Sequence, residues 1–380
     1  MEKKKKFIIA TTIPLSFIFF KGQVNKLKEE FDVELVSSPG PDLDQFCKSH
    51  DLVGHSLPMK RNISVFNDMI SLIRFVLLFI RLRPKIVHGN TPKAGLLSMF
   101  ASWLTFIPHR IYYVHGLRYQ GSTGLKRNLL ILMERMACFF ATNIYAVSYG
   151  LIDQLKEDIV RHKQVKIIGN GSINGIDLDY YSRENPEIPE ITSPEGLAAN
   201  DFVFGFIGRL VNDKGINELV HAFCAISKVK KDCKLLLVGW FEDDLDPLGS
   251  GIKKEILDNP GIIWVGFQSD IRPYIKLMDL LVFPSYREGF GLALIEAASM
   301  GVPAISSDIT GCREIIDHGK NGLLVPPKSA VELEKAMIGL YEDRQLLGDM
   351  GRNSRRFVAK KYEQKSLWEK AITEYKSLII

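Results

Sequence analysis

The chain has 380 residues, of which 46% are hydrophobic and 24% charged, so it can bury large cores and is too long for one ordinary domain. Its five cysteines lie far apart without metal-ligand spacing, which is typical of reduced thiols in a cytoplasmic protein. The net charge of +5 is uneven, because residues 1–180 hold 24 Lys and Arg against 15 Asp and Glu. No dense basic tract with interleaved aromatic residues occurs, so nucleic acid is not expected as a partner.

The first segment, MEKKKKFIIATTIPLSFIFF, has the basic run and the apolar stretch of a signal peptide. It lacks a small-residue cleavage site, and Thr11, Thr12 and Pro14 interrupt its apolar part. We interpret it as a buried first strand, Phe7–Ala10, followed by a loop. No segment reaches the roughly 18 uninterrupted apolar residues of a membrane span, so the chain is not expected to cross a bilayer.

Short apolar runs alternate with helical patterns along the whole chain, which predicts parallel sheets covered by helices. The predicted strands of the first half are Phe7–Ala10, Val33–Val36, Ile86–His88, Ile111–Val114, Ile144–Val147 and Val165–Ile168. Those of the second half are Phe202–Ile207, Lys234–Val238, Ile262–Val265, Leu281–Phe283, Ala304–Ser306 and Leu323–Val325. The fold class is therefore α/β, with two doubly wound Rossmann-like domains.

The segment SRENPEIPEITSPEGLAAND is rich in Pro and Glu and has no periodicity, which is typical of a linker. We assign residues 1–182 to an N-terminal domain, 183–200 to the linker and 201–362 to a C-terminal domain. The terminal helix, 363–380, is expected to complete the first domain. Ligands of such sheets bind beyond the carboxyl ends of the strands, so chemistry is expected in the loops that follow strands.

One such loop is Glu288-Gly289-Phe290-Gly291, which leads into a predicted helix, Leu292–Met300. The glycines let the backbone approach a ligand, and the amides of Phe290, Gly291 and Leu292 lie at a helix start that favours an anion such as phosphate. Glu296, one turn into the helix, could accept hydrogen bonds from two sugar hydroxyls. The spacing alone allows a second interpretation equally well, in which Glu288 caps the helix and Glu296 is a solvated helix residue without a ligand.

A second loop favours the ligand interpretation. After the strand FVFGFI, Gly208-Arg209 and Lys214-Gly215 open a helix. The two cations could converge on a diphosphate and stabilise the charge that grows as it leaves. The alternative, in which both are surface cations at a helix start, does not suit Lys214, because the helix dipole disfavours a cation at that end. The loop is neither a Walker motif nor GxGxxG, which argues against triphosphatases and dinucleotide enzymes.

Together with TGCREIIDHGKNGLLV, VHGNTPKAGLLSMFAS, HRIYYVHGLRYQG and NGSINGIDLDYY, these motifs resemble the retaining family-4 glycosyltransferases of the GT-B fold. The similarity is to bacterial members that assemble capsular or other surface polysaccharides, and it covers nearly the whole chain. It implies two Rossmann-like domains that face each other across a cleft. It also implies transfer of a sugar, with retention of configuration, from a nucleotide sugar, expected to be UDP-linked, without metal or cofactor.

The resemblance assigns roles to individual residues. Arg209 and Lys214 would bind the donor diphosphate, and Glu296 the ribose hydroxyls. Glu288 would lie beside the donor sugar, and Phe267 and Gln268 near the nucleobase. The expected donor-binding residues are Arg209, Lys214, Phe267, Gln268, Glu288, Phe290, Gly291, Leu292 and Glu296, and the expected catalytic residues are His115, Glu288, Arg209 and Lys214.

His115 of YVHG matches the family's active-site histidine, close to the transferred sugar, although on its own it is more typical of a structural histidine. Lys93 either meets a phosphate of the acceptor or lies at a helix start, and Lys60, Arg61 and Arg118 are equally open. The family's glycine-rich loop after the first strand is missing, since no glycine occurs there before Gly22.

Three acidic residues, Glu242-Asp243-Asp244, lie in a loop that contains Pro and Gly. We interpret them as solvated side chains and not as a metal-binding motif.

Two apolar helices studded with Arg, Ser71–Lys85 and Leu125–Phe140, are either core helices or a face that rests on an anionic membrane. We expect a cytoplasmic enzyme, peripheral at the inner face of the cytoplasmic membrane, and a saccharide acceptor linked to a lipid such as a polyprenyl diphosphate. The alternatives are a sugar-nucleotide epimerase of similar fold and a nucleotide-sugar-binding protein without turnover.

Overall fold

The computed structural model describes residues 4–243 and 246–379. The chain divides into two compact units, one formed by Met1–Gly175 with Gln364–Ile380 and the other by Ile176–Glu363. The sequence placed the first boundary after residue 182. The segment assigned as a linker belongs to the second unit, because the Arg183 guanidinium donates hydrogen bonds to the carbonyls of Met300 and Met278.

The first unit is built on a seven-stranded parallel sheet in the order β3-β2-β1-β4-β5-β6-β7. Its strands are β1 (Lys5–Ala10), β2 (Phe31–Ser37), β3 (Val53–Ser56), β4 (Ile86–Asn90), β5 (His109–Val114), β6 (Asn143–Ala146) and β7 (Val165–Lys166). The helices that precede the second unit are α1 (Gln23–Glu30), α2 (Pro41–His50), α3 (Val65–Leu82), α4 (Pro92–Leu104), α5 (Gly124–Phe140) and α6 (Tyr149–Asp158).

The second unit is built on a six-stranded parallel sheet in the order β10-β9-β8-β11-β12-β13. Its strands are β8 (Phe202–Ile207), β9 (Cys233–Val238), β10 (Ile262–Trp264), β11 (Leu280–Phe283), β12 (Ala304–Ser307) and β13 (Gly322–Val325). Its helices are α7 (Ile216–Val229), α8 (Ser250–Asp258), α9 (Arg272–Leu277), α10 (Leu292–Ser299), α11 (Ala330–Glu342) and α12 (Arg344–Tyr362). The last helix, α13 (Gln364–Ser377), returns to the first unit, where it packs on α1.

The predicted first strand is present as β1, which lies in the sheet between β2 and β4 with Phe7–Ala10 fully buried. All twelve predicted strands occur, within a few residues at each end. The sequence missed β3, Val53–Ser56, because this edge strand is mostly exposed and carries no apolar run. Among the helices of the described residues, none is both long enough and apolar enough to span a membrane.

In each unit the strand order reverses at one place in the sheet, between β1 and β4 in the first unit and between β8 and β11 in the second. The loops beyond the carboxyl ends of two such strands diverge and leave room for a ligand between them. In the second unit these are the Arg209–Lys214 loop and the Glu288 loop. The predicted phosphate-binding residues therefore lie where doubly wound sheets bind ligands.

Candidate functional site

The loops after β8 and β11 approach each other closely at Gly215. This residue has a φ of 69°, and a Cβ atom at its position would lie 2.1 Å from the carbonyl oxygen of Pro284. Only glycine fits such a contact. As a result, Lys214 reaches Glu288 and forms an ion pair with its carboxylate, and both side chains are largely buried. The Lys214 ammonium also lies 5.2 Å from the centre of the Phe283 ring.

Arg209 forms an ion pair with Glu242, which follows β9. The sequence interpretation of Glu242 as a solvated acidic residue is therefore wrong, since its side chain is buried against Arg209. Asp243 is exposed and pairs with Lys253. Asp244, the third residue of that acidic run, lies outside the described residues.

Both predicted phosphate-binding cations are thus paired with carboxylates. A partly buried cation without a partner would be costly, so the two carboxylates stabilise Lys214 and Arg209 at these positions. An anion that enters must compete with Glu242 and Glu288 for these partners. Lys214 and Arg209 can bind a diphosphate by exchanging one acceptor for another.

The start of α10 offers backbone donors beside this pair. Gly291 caps the helix, and the Leu292 amide donates to the Phe290 carbonyl at 3.0 Å. Within the described chain, no group accepts a hydrogen bond from the amides of Phe290 or Gly291. Of the three amides predicted to meet phosphate, two are therefore available to an anion, and the third is already used locally.

Glu296, one turn into α10, is partly buried and accepts a hydrogen bond of 3.0 Å from the Tyr181 hydroxyl. Burial raises the pKa of this carboxyl to about 7, and the Tyr181 hydrogen bond opposes the rise. The sequence analysis gave no role to Tyr181, although this residue ends the motif NGSINGIDLDYY and precedes the predicted linker. A carboxyl with a pKa near 7 can change its protonation state when a polar ligand binds beside it.

Two aromatic side chains stand at the carboxyl ends of β9 and β10. Phe267, predicted to lie near a nucleobase, is 63% exposed, and its ring centre is 5.4 Å from that of Trp240. The Gln268 amide donates to the Val265 carbonyl at 2.7 Å and is thereby fixed. The sequence missed Trp240, although its place directly after β9 and Gly239 was a visible signal. Exposed aromatic rings of this kind can stack on a planar base.

In the first unit, His115 directly follows β5 and is partly buried. Its Nε2 lies 2.9 Å from the Asn90 Oδ1, and its ring stacks on Phe19 with 5.1 Å between ring centres. Burial lowers the pKa of His115 to about 4, so the ring is neutral near pH 7. A neutral imidazole can exchange hydrogen bonds with a sugar hydroxyl without a charge change.

Lys93 is held by contacts within the first unit. Its ammonium is buried, lies 2.6 Å from the Asp68 carboxylate and donates to the Asn62 carbonyl at 2.5 Å. These contacts account for the buried charge of Lys93 without a phosphate of the acceptor. Lys60, Arg61 and Arg118 are exposed.

Two family models match the chain. The model described as glycosyl transferases group 1 matches residues 187–357, and the one described as glycosyl transferase 4-like domain matches residues 21–171. Over 379 residues the chain is 33% identical to the capsular polysaccharide biosynthesis glycosyltransferase CapM of Staphylococcus aureus, covering 99% of this chain and 98% of that protein. It is 28% identical over 335 residues to the UDP-Gal:alpha-D-GlcNAc-diphosphoundecaprenol alpha-1,3-galactosyltransferase of Escherichia coli, covering 86% of this chain and 84% of that protein.

Among solved structures, the Anabaena protein Alr3699/HepE in complex with UDP and glucose matches with a TM-score of 0.78 at 18% identity. The match covers 98% of this chain and 99% of that one. The predicted fold class, two Rossmann-like α/β domains of the GT-B type, is thereby confirmed.

Proposed function

Because this chain belongs to the group 1 glycosyl transferases, we propose that it transfers a sugar from a UDP-sugar to a saccharide carried on a lipid diphosphate, in the assembly of a bacterial surface polysaccharide. The observation that carries the proposal is that Arg209 and Lys214 follow β8, and Glu288, the partner of Lys214, follows β11, at the strand-order reversal of the second unit. A relative that acts on a diphosphoundecaprenol-linked sugar and a structural neighbour that binds UDP support the substrate classes.

The donor diphosphate replaces carboxylate oxygens as the acceptor for Lys214 and Arg209. The Phe290 and Gly291 amides add two neutral donors, and Glu296 accepts hydrogen bonds from the ribose. When the sugar leaves, negative charge grows on the diphosphate, and each preorganised donor that meets it stabilises the transition state by about 2–4 kcal/mol. The Glu288 carboxylate, released from Lys214, lies beside the sugar.

In this proposal the cations and amides neutralise the leaving group without a divalent metal. Within residues 4–243 and 246–379, no group of three His, Cys, Asp or Glu side chains is placed to hold a metal ion. Retention of configuration at the anomeric carbon follows from the family-4 resemblance.

The transfer reaction is tested with a panel of radiolabelled UDP-sugars and a polyprenyl diphosphate-linked sugar, followed by extraction of the lipid. Radiolabel in the lipid fraction supports a transferase. Isomerised UDP-sugar without lipid product would indicate an epimerase, and tight binding without either product would indicate a binding protein. Either of these results contradicts the proposed function.

The ionisation of Glu296 makes donor binding depend on pH. A carboxylate accepts two ribose hydroxyls better than a protonated carboxyl does, so binding must ionise Glu296. With a pKa of about 7 in the free protein, UDP-glucose affinity should fall about tenfold from pH 8 to pH 6. Calorimetry at pH 7 in two buffers of different ionisation enthalpy should show that the wild-type protein releases a proton on binding.

UDP-glucose is the suitable probe, because its diphosphate has no group that titrates between pH 6 and pH 8. Glu296→Gln should bind more weakly at pH 8 and release no proton. An identical pH dependence in the wild type and in Glu296→Gln would rule out Glu296 as the titrating ligand.

We also assign a membrane-facing surface to the first unit. On α3, an apolar stripe recurs at intervals of three or four residues and is more than half exposed. A second exposed stripe runs along α5, and α4 packs between the two helices. The members of the surface are Phe66, Met69, Ile73, Leu77 and Ile80 on α3, Leu125, Leu129, Leu132, Met136 and Phe139 on α5, and Trp103, Leu104 and Phe106 at the end of α4.

Arg74 and Arg81 flank the stripe on α3, and Lys126 and Arg135 flank that on α5. Apolar side chains enter the boundary between headgroups and acyl chains, and each nearby Lys or Arg adds about 1 kcal/mol on an anionic surface. A bilayer with anionic lipids therefore suits this surface. It would bring the enzyme to a lipid-linked acceptor at the inner face of the cytoplasmic membrane.

The double variant Leu77→Ser/Phe139→Ser should lose most of its binding to phosphatidylglycerol vesicles in a flotation assay, at least about tenfold, because two large apolar side chains no longer enter the bilayer. Leu257→Ser/Val331→Ser is the matched control, since Leu77 and Leu257 are both 61% exposed and Val331 is 60% exposed. Equal flotation of the two double variants, or no preference over phosphatidylcholine vesicles, would refute the assignment.

A further inference from the structure

Behind His115 lies a chain of hydrogen-bonded side chains that ends on the C-terminal helix. His115 Nε2 is 2.9 Å from Asn90 Oδ1, and Asn90 Nδ2 is 2.9 Å from His88 Nδ1. His88 Nε2 is 3.0 Å from the Tyr375 hydroxyl on α13. Asn90, His88 and Tyr375 are almost completely buried. Buried networks of this kind fix the position of each member when all its hydrogen bonds are made.

The direction of these hydrogen bonds follows from two carbonyl groups. Asn90 Nδ2 lies 3.1 Å from the His88 carbonyl oxygen and 3.5 Å from that of Ala10. Carbonyl oxygens only accept, so the atom that faces them is the amide nitrogen. The Asn90 Oδ1 then faces His115 and accepts a hydrogen bond from its Nε2. The proton of His115 is therefore on Nε2, and Nδ1 carries the lone pair.

The surroundings keep the His115 ring neutral. Among the described residues, the titratable side chains recorded against it are His88 and Tyr113, and Phe19 covers one face of the ring. Burial lowers the pKa of His88 to about 3 and raises that of Tyr113, so both are uncharged near pH 7. Burial also lowers the pKa of His115 itself to about 4. An amide partner adds no charge that would attract a second proton.

We propose that Asn90 is a positioning residue for the transfer reaction, which holds His115 as the neutral Nε2-protonated tautomer so that Nδ1 accepts a hydrogen bond from a substrate hydroxyl. His88 and Tyr375 hold Asn90 in its turn, which ties the orientation of His115 to α13. The catalytic consequence rests on the proposed function, whereas the tautomer is a property of the first unit alone. A second-layer hydrogen bond sets which imidazole nitrogen is available to a substrate.

Asn90→Asp is the informative variant, because it preserves the shape of the side chain and adds a negative charge. The carboxylate accepts the same hydrogen bond but favours the imidazolium, so the pKa of His115 should rise. Protonation removes the lone pair of Nδ1. If the pKa rises to about one unit above the working pH, about nine-tenths of the rings are protonated and turnover falls about tenfold.

The primary measurement is the nitrogen chemical shifts of His115 in ¹⁵N-histidine-labelled protein, assigned with a His115→Gln sample. The wild type at pH 7 should show a protonated Nε2 and an unprotonated Nδ1, and Asn90→Asp should show a partly or fully doubly protonated ring. Asn174→Asp is the matched control, since the Asn174 Oδ1 accepts from another ring nitrogen, Trp368 Nε1, at 2.8 Å. Its His115 shifts should equal those of the wild type.

The second measurement is the pH profile of kcat with the UDP-sugar that the transfer assay identifies. Asn90→Asp should lose turnover at pH 7, regain it as the pH rises and keep the KM for the donor within about twofold. Asn174→Asp should follow the wild type throughout.

A His115 ring protonated on Nδ1 in the wild type, or titration of His115 unaffected by Asn90→Asp, would overturn the proposal. If no UDP-sugar is turned over, the proposed function fails, and the chemical shifts still decide the tautomer.

Discussion

Lys214→Ala is expected to reduce the affinity for UDP-glucose by about 100-fold, which corresponds to about 2.7 kcal/mol. The variant removes a cation from the diphosphate site, and it also leaves the Glu288 carboxylate without its partner. That carboxylate then repels the incoming diphosphate instead of releasing a lysine to it. Isothermal titration of the purified protein with UDP-glucose measures the change.

Lys253→Ala is a close control for this variant. Lys253 also pairs with a carboxylate, that of Asp243, and lies 5.4 Å from the centre of an aromatic ring, Phe241. It belongs to α8 and not to the two loops. Its replacement should change the affinity by less than about twofold, as is usual for a partly exposed ion pair.

The double variant Lys214→Ala/Glu288→Gln separates the two causes. Because Gln removes the repelling charge, it should recover part of the lost affinity. An affinity of Lys214→Ala within twofold of the wild type would contradict the role of Lys214.

His115→Ala is expected to lower kcat by about 100-fold or more, which is the range for a group that exchanges a proton or a hydrogen bond with the reacting centre. The dissociation constant of UDP-glucose should stay within about twofold. All diphosphate and ribose contacts assigned above come from the second unit, whereas His115 belongs to the first. Steady-state kinetics with saturating donor, combined with calorimetry, separates the two effects.

His109→Ala serves as the control for His115→Ala. His109 begins β5, at the opposite end of the strand that His115 follows, and it is only partly buried. Its loss should leave kcat nearly unchanged. A His115→Ala protein with wild-type turnover, or one whose UDP-glucose affinity falls as far as its kcat, would contradict a role in the transfer step.

The sequence predicted the architecture well because parallel strands buried on both faces are continuous apolar runs. β8, for instance, was predicted with the bounds Phe202–Ile207 that the structure shows. The edge strand β3 was missed because an exposed edge does not require apolar residues. The domain boundary differed because a stretch rich in Pro and Glu can still be anchored by tertiary contacts: Arg183 donates to two carbonyls of the second unit, and Ile188 packs on its core.

At the candidate site, the sequence predicted Arg209, Lys214 and Glu288 as functional residues but did not predict which side chains they pair with. Nothing in the spacing indicates that Lys214 pairs with Glu288, since this contact depends on the close approach of Gly215 to Pro284. Composition made Glu242 look solvated, whereas the fold buries it against Arg209. Pairings between distant loops depend on tertiary packing, which local patterns do not encode.

In the proposed function, Arg209 and Lys214 hold the donor diphosphate without a metal ion. The most direct measurement is calorimetric titration of UDP-glucose into the wild type and into Arg209→Ala/Lys214→Ala, each with excess EDTA and with Mg²⁺. Wild-type affinity should be the same in both solutions, and the double variant should show no measurable binding in either. Binding by the wild type only with Mg²⁺, or undiminished binding by the double variant, would contradict it.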